Sequence, residues 1–402
     1  MNPKHFVIAM DSFKGSITSL EGGSIVAEAI HSVFPESDTQ IFPLADGGEG
    51  TVDALATGLH GELVRAEVTG PLGAKAQSRF GFLPAQKTAI IEMADAAGLP
   101  MVPPEERNPM NTTTYGLGEL ILAAAKRGCR TFLIGLGGSA TNDAGLGMMT
   151  ALGARFLRAD GTPAGIYGKD VAEVASIDLS SLAPILRECH FSIACDVTNP
   201  LTGPSGCSAV YGPQKGATPE IVATMDKAIK RFAALAETTL AQQAAYSTGA
   251  TSSTGNASTP THFADFPGAG AAGGLGFAFS AFLGGELKPG IDLVLDLLHI
   301  DEVLQQANVI ITGEGRMDEQ TAMGKAPIGI AQRAKRANPN AIALAFCGCA
   351  KPGAGAVNRH GIDAYFPILH LPMTVTEAME HDTTVQNLRQ TVTQALRVLA
   401  LA

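Results

Sequence analysis

Six glycine-rich segments punctuate this chain. Five carry charged or polar side chains: DSFKGS (11–16), DGGEGT (46–51), GLGGSATND (135–143), CDVTNP (195–200) running on to GPQKG (212–216), and TGEGR (312–316). The sixth, GAGAAGGLG (268–276), is almost bare backbone. Several stand between a short apolar run and an amphipathic stretch, which is the grammar of strand, loop and helix. Residues 6–9 read as a buried strand, 11–16 as a loop, and 18–33 as a helix with Leu20, Ile25, Val26 and Ile30 on one face. Thr18 with Glu21 spells a capping box at its start. A strand at 39–44, the loop at Asp46 and a helix at 50–57 repeat the pattern.

The other chain end uses the same grammar. A strand at 307–312 leads into a loop at 313–315 and a helix at 327–336. Strands at 341–346 and 363–368 and a closing helix at 385–399 follow. The two ends read as halves of one parallel sheet. The middle differs, with short strands at 64–68, 78–83 and 88–93, and a strand at 131–135 feeding a glycine loop and a helix at 146–157. The expectation is an α/β protein: one domain from 1–63 and 291–402, and a second α/β domain, 64–290, inserted into it. Such a division suits 402 residues, because single cores stop growing near about 250–300 residues. The polar, nearly uncharged stretch 246–260 reads as a flexible surface loop.

Composition narrows the function. The chain is 46% hydrophobic and 16% charged, with a formal net charge of −10. That balance disfavours disorder and general binding to nucleic acid or an anionic membrane. No apolar run reaches the roughly 18 residues of a membrane span, and without a basic region and apolar core before the first strand no signal peptide is expected. The six cysteines form no CxxC pair, so reduced thiols and a cytoplasmic location are expected. The nine histidines form no HExxH pattern, and a G-x-S-x-G elbow is absent, which disfavours metallohydrolase and α/β-hydrolase chemistry.

The glycine loops supply anion chemistry. Glycine lets main-chain N–H groups approach a phosphate closely. Gly137, Gly138, Ser139 and Thr141 follow the strand at 131–135 and precede a helix, so loop donors and a helix N-terminus meet there. Gly270, Gly273 and Gly274 belong to a G-x-G-x-x-G spelling with no convincing strand before it, which fits phosphate contact or close packing and gives no preference for NAD. Lys215 stands between glycines as a candidate phosphate partner. Asp46 and Glu49 share a loop and can hold Mg²⁺, which takes oxygen ligands; capping of the next helix is the rival reading. Asp196 ends an apolar strand with little positive charge nearby, which suits a base accepting a hydroxyl proton; an Asx turn is its rival.

Together these segments resemble the bacterial glycerate kinases of the type unrelated to P-loop kinases. The signatures are DSFKGS (11–16), PLADGGEGT (43–51), VTGPLG (68–73), PPEERNP (103–109), TTYGLGELI (113–121), GLGGSATNDAG (135–145), ACDVTNPLTGP (194–204), YGPQKGATPE (211–220), PGAGAAGGLG (267–276) and TGEGRMDEQTAMGKAP (312–327). The resemblance covers nearly the whole chain. It implies ATP-dependent phosphorylation of D-glycerate to 2-phosphoglycerate with Mg²⁺, and two α/β domains, one Rossmann-like and built from both chain ends, with the site in the cleft between them. Two departures stand out: Met10 replaces the family's usual Pro before DSFK, and the 246–260 stretch is longer than usual.

In that reading Asp196 is the base and Lys14 neutralises the transferring phosphoryl group or the glycerate carboxylate. Ser12, Arg65 and Arg316 hold the substrate. Asp46 and Glu49 hold Mg²⁺, and the Gly137–Thr141 loop, Lys215 and Gly270, Gly273 and Gly274 hold nucleotide phosphates. Glu314 and Asp318 are second-line acidic candidates. The partners expected are the small molecules D-glycerate and ATP. Phe277 to Leu283 fits a core or a homo-oligomer interface. The alternatives are glycerate 3-kinase activity, a nicotinamide-dependent hydroxy-acid enzyme, and a binding protein without turnover.

Overall fold

The strands run, in chain order, β1 (His5–Met10), β2 (Asp38–Pro43), β3 (Glu62–Thr69), β4 (Lys75–Leu83), β5 (Thr88–Glu92), β6 (Thr131–Gly135), β7 (Arg155–Leu157), β8 (Ser176–Asp178), β9 (His190–Ala194), β10 (Glu286–Lys288), β11 (Val309–Met317), β12 (Ile342–Ala350) and β13 (Ala364–Pro367). The computed structural model describes residues 5–48, 50–248 and 262–401. The chain divides into two compact units. The first contains Met1–Asp46, Asp53–His60 and Pro289–Ala402; the second contains Gly47–Val52 and Gly61–Lys288.

The first unit is a five-stranded sheet in the order β13-β12-β11-β1-β2, and every neighbouring pair is parallel. Period-2 alternation divides most of its side chains between two faces, with Met317 at the end of β11 departing from it. Phe6, Ile8, Met10, Val309, Ile311, Leu344 and Phe346 pack on one side with Val26 and Ile30 of the Ser19–Val33 helix and Leu388, Val392 and Leu396 of the His381–Leu401 helix. Met317, Ala343, Ala345 and Cys347 pack on the other with Ile328 and Ala331 of the Ala326–Ala337 helix. Helices on both faces are the reason these strands read as continuous apolar runs. The strand order reverses between β1 and β11, and open parallel sheets bind ligands beyond the strand ends at such a point.

The second unit holds a six-stranded mixed sheet, β10-β9-β6-β5-β4-β3, with a separate β7-β8 hairpin. β3, β4 and β5 form an antiparallel meander, whereas β5, β6, β9 and β10 run parallel. Phe132 and Phe191 stack at 5.0 Å between ring centroids in its core. Phe277 and Phe279 are fully buried in the same core on the Ala271–Leu283 helix, so those two rings are spent on packing.

Three local expectations change. Residues 313–316 are strand, because β11 continues to Met317. Its glycines permit this: a Cβ at Gly313 would lie 2.2 Å from Phe346 O, and one at Gly348 2.4 Å from Gly315 O. The helix expected at 146–157 stops at Ala151, where Gly153 turns the chain with φ 105° into β7. Residues 246–248 end the Pro219–Thr248 helix, and the rest of the expected 246–260 loop lies outside the described residues. No helix among the described residues is long and apolar enough to cross a membrane.

Candidate active site

In the first unit, acidic and basic groups gather beside the strand-order reversal. Asp11 follows β1, donates its N–H to Gly313 O of β11 (2.9 Å), and accepts the Ser12 N–H on its carboxylate (2.7 Å). Burial pushes its carboxyl up to about 7; the Asp46 and Glu314 carboxylates add to the rise, and the Ser12 N–H and Lys14 oppose it. Glu314 is 7% exposed and accepts the Thr321 hydroxyl at 2.6 Å. Its own carboxyl is raised, by burial first, against Thr321 and Lys325 and with help from Asp318 and Asp46. Lys325 Nζ lies 4.0 Å from Glu314 and 3.8 Å from Asp318. Lys14 is exposed, and its backbone N is 3.7 Å from where a Cβ on Gly315 would stand. Ser12, Lys14, Asp46 and Glu314 are therefore parts of one neighbourhood. Arg316 is exposed on β11 and pairs with Asp318 at 3.2 Å.

In the second unit, three segments, two of them glycine-bearing, converge at the carboxyl ends of β6 and β9, which are direct neighbours. The Leu136 N–H reaches Ala194 O (3.3 Å), the Gly270 N–H reaches Asn199 O (3.0 Å), and the Ala144 N–H reaches Gly273 O (2.9 Å). Gly137 and Gly138 are exposed. Gly137 has only Gly48 Cα, at 3.7 Å, near the place of a Cβ. Asp196, two residues beyond β9, is exposed at the same sheet end.

Behind this turn the polar groups are buried. Lys215 is 2% exposed, and its Nζ donates to Ser139 Oγ (2.8 Å) and Thr141 O (2.6 Å). Burial pulls its ammonium down to about 8, against the opposite pull of Cys207 and Asp143. Asp143 is fully buried and accepts from Thr114 N, Thr114 Oγ1, Gly145 N and Gly147 N at 2.8–3.2 Å. It satisfies donors of the turn and of the Leu146–Ala151 helix start. Thr141 Oγ1 and Asn142 Oδ1 are buried with no protein partner, so they retain capacity for a ligand or a water.

Some expectations separate. Gly273 and Gly274 have φ 69° and 94°, and Cβ atoms there would lie 2.1 Å from Thr141 O and 2.7 Å from Ala144 Cα. A Cβ at Gly270 would stand 2.3 Å from Pro200 O. These glycines serve backbone-to-backbone packing. A 3₁₀ turn, Phe263–Asp265, precedes them in place of the strand a dinucleotide fingerprint needs. Arg65 lies exposed within edge strand β3, four strands from β9, or about 19 Å across the sheet at ~4.8 Å per strand; it does not join Asp196. Glu49 lies outside the described residues. No group of three His, Cys, Asp or Glu among the described residues is arranged to hold a metal by itself.

Sequence reasoning passed over four groups. Asp11 was hidden inside a motif whose serine and lysine drew attention, although an acid at a strand's carboxyl end was a readable signal. Asp143 closed the glycine motif and received no role. Glu92, 5% exposed at the end of β5, accepts the Val52 N–H at 2.8 Å. Thr321 carried no signal, since its contact with Glu314 depends on the turn at 321–323.

Residues 6–400 match the family model described as the glycerate kinase family. The chain is 46% identical to a glycerate kinase of Haemophilus influenzae over 98% of both chains. It is 42% identical to the glycerate 2-kinase of Escherichia coli over 92% of both. A crystal structure described as glycerate kinase 2 from Salmonella typhimurium LT2 superposes with a TM-score of 0.85 at 42% identity, covering 100% of this chain and 99% of that one. This chain belongs to the glycerate kinase family.

Proposed function

We propose that this protein transfers the γ-phosphoryl group of ATP to D-glycerate, giving 2-phosphoglycerate and ADP. The observation that carries the reading is the exposed Gly137–Gly138 turn at the carboxyl end of β6, backed by the buried Lys215 ammonium. Open glycine N–H groups with positive charge behind them suit nucleotide phosphates. Phosphoryl transfer asks mainly for positioning and charge stabilisation, which such a turn supplies. Choice of the 2-hydroxyl follows the name of the Escherichia coli relative.

Asp196 is the base of this proposal. It is exposed at the end of β9, beside the turn, and accepts the proton of the glycerate hydroxyl as that oxygen attacks phosphorus and the bond from phosphorus to the ADP oxygen breaks. Lys14, with Ser12, binds an anionic group in the first unit, and Arg316 has a weaker claim because Asp318 already engages it. Asp11 and Asp46 fit Mg²⁺: burial first and repulsion from Asp46 second raise the Asp11 carboxyl, and a divalent cation would relieve that repulsion. Mg²⁺ commonly uses one or two carboxylates with phosphate oxygens and waters, and bound there it would offset phosphate charge. The domain assignment of 1–63 with 291–402 against 64–290 is retained as a proposal about which residues act together.

The test is ³¹P NMR of purified protein with D-glycerate, ATP and Mg²⁺. A 2-phosphoglycerate resonance is expected. A 3-phosphoglycerate resonance would replace the acceptor hydroxyl, and an absence of ATP consumption by folded protein would overturn the reading. Asp196→Asn is expected to lower kcat by about 10²-fold or more, and near-normal turnover would remove Asp196 from the role.

A further inference from the structure

Resting on the reading that the Gly137–Gly138 turn holds nucleotide phosphate, we infer that Lys215 never touches that phosphate and is a positioning residue: a buried cation that locks the turn and supplies its positive potential from behind. The geometry separates this role from that of a phosphate-binding lysine. Lys215 is 2% exposed. It ends the 3₁₀ turn Pro213–Lys215, and the chain leaves through Gly216 with φ 90°, where a Cβ would lie 1.9 Å from Arg107 O. The backbone therefore cannot swing the side chain outward without breaking that close approach.

Two of the three ammonium protons are already committed. One goes to Ser139 Oγ and one to Thr141 O, which lie on either side of Ala140 just beyond the two exposed glycines. Holding both points fixes the curvature that presents the Gly137 and Gly138 N–H groups. The groups facing Lys215 are Cys207, from the Cys207–Tyr211 helix, and Asp143, from the end of the turn. Burial pushes the Cys207 thiol up to about 11, so it stays neutral at physiological pH. Asp143 is committed to its four hydrogen-bond donors. The direct contacts of the ammonium are thus the neutral Ser139 Oγ and Thr141 O, and in a poorly solvated place its charge acts on the turn with little screening.

A buried lysine loses its proton more readily than an exposed one, and here the change falls near about 8. Below that pH the turn is both braced and electropositive. Above it Nζ can still donate two hydrogen bonds, but the potential is gone. Anion affinity at the turn should fall by up to about tenfold per pH unit above the transition. A bound anion favours the ammonium, so occupancy moves the transition upward.

The experiment measures ADP and D-glycerate affinity calorimetrically for the full chain from about pH 7.5 to about pH 9.5, a window above the last phosphate ionisation at about pH 6. ADP affinity of the unaltered protein is expected to fall about tenfold across it, while D-glycerate affinity stays level. Lys215→Met is expected to bind ADP at least about tenfold more weakly at the lower pH, with a flat profile that meets the unaltered protein at the upper pH. Ser139→Ala keeps the charge and one bond; it should bind somewhat more weakly with the pH profile preserved, and it remains informative if Lys215→Met does not fold. Persistence of the profile in Lys215→Met, loss of it in Ser139→Ala, or a profile carried by D-glycerate with ADP flat would each overturn the inference. Phosphoglycerate production by the unaltered protein is scored separately, so a failed inference and a failed kinase reading give different results.

Discussion

Asp143 and Asp11 carry the same side chain into opposite circumstances. Asp143 has four donors within 2.8–3.2 Å and is a structural node. Asp143→Ala leaves those donors buried and unpaired, and is expected to lower the urea-unfolding free energy by about 3 kcal/mol or more. Asp11 instead is buried first of all, and faces the Asp46 and Glu314 carboxylates besides. Its carboxyl moves from 3.8 to about 7, so folded protein holds a proton there that unfolded protein releases. The associated stability is full below the unfolded value of 3.8 and is lost as pH rises through about 7. Metal-free protein should therefore lose midpoint stability between about pH 4 and about pH 7 relative to Asp11→Asn, and excess Mg²⁺ should restore it. Identical urea midpoints with and without Mg²⁺ at neutral pH would count against the carboxylate pair as the metal site. At this scale the sequence displayed residue types but not their company: Arg65 and Asp196 looked equally available until the sheet order put three strands between β3 and β9.

Among elements, legibility tracked burial. β6 was readable to the residue because it is an apolar run closed by glycine, and the Ser19–Val33 helix because Thr18 caps it by accepting the Glu21 N–H. The end of β11 was not, since Gly313-Glu314-Gly315 has the composition of a loop and becomes strand only through close backbone neighbours. The glycines of the two converging segments also look alike in sequence and differ in the fold. Gly273→Ala meets Thr141 O and a left-handed backbone, and should reduce stability by more than about 2 kcal/mol. Gly137→Ala meets only Gly48 Cα at an ordinary contact distance of 3.7 Å and should change the unfolding free energy by less than about 0.5 kcal/mol. It should nonetheless raise KM for ATP several-fold, because the methyl group obstructs approach to the turn. Steady-state kinetics beside urea titration of both variants separates packing glycines from presenting ones.

For the whole molecule, the chain's ends carried the clearest message. Matching strand grammar at both termini implied one parallel sheet, and β1 does lie between β2 and β11. A fragment spanning 47–288 contains the complete six-stranded sheet and should melt cooperatively in circular dichroism. A fragment ending at residue 300 lacks β11, β12 and β13, leaving two of the five strands of the other sheet, and should keep only the melting transition of the first fragment. Broad, uncooperative melting of 47–288 would show that its core needs the rest of the chain.

That shared sheet also has a timetable. β2 ends at Pro43 and β11 begins at Val309, an interval of 309 − 43 = 266 residues. At ribosomal rates of about 5–20 residues per second, β1 and β2 wait on the order of 13 to 50 s for the neighbour that covers the apolar edge of β1. During that time Phe-Val-Ile-Ala-Met (6–10) is a sticky segment on a nascent chain whose later-made region is already able to fold. Chaperone demand in a cell producing this protein should therefore concentrate on its first fifty or so residues, the earliest made and among the last to be finished.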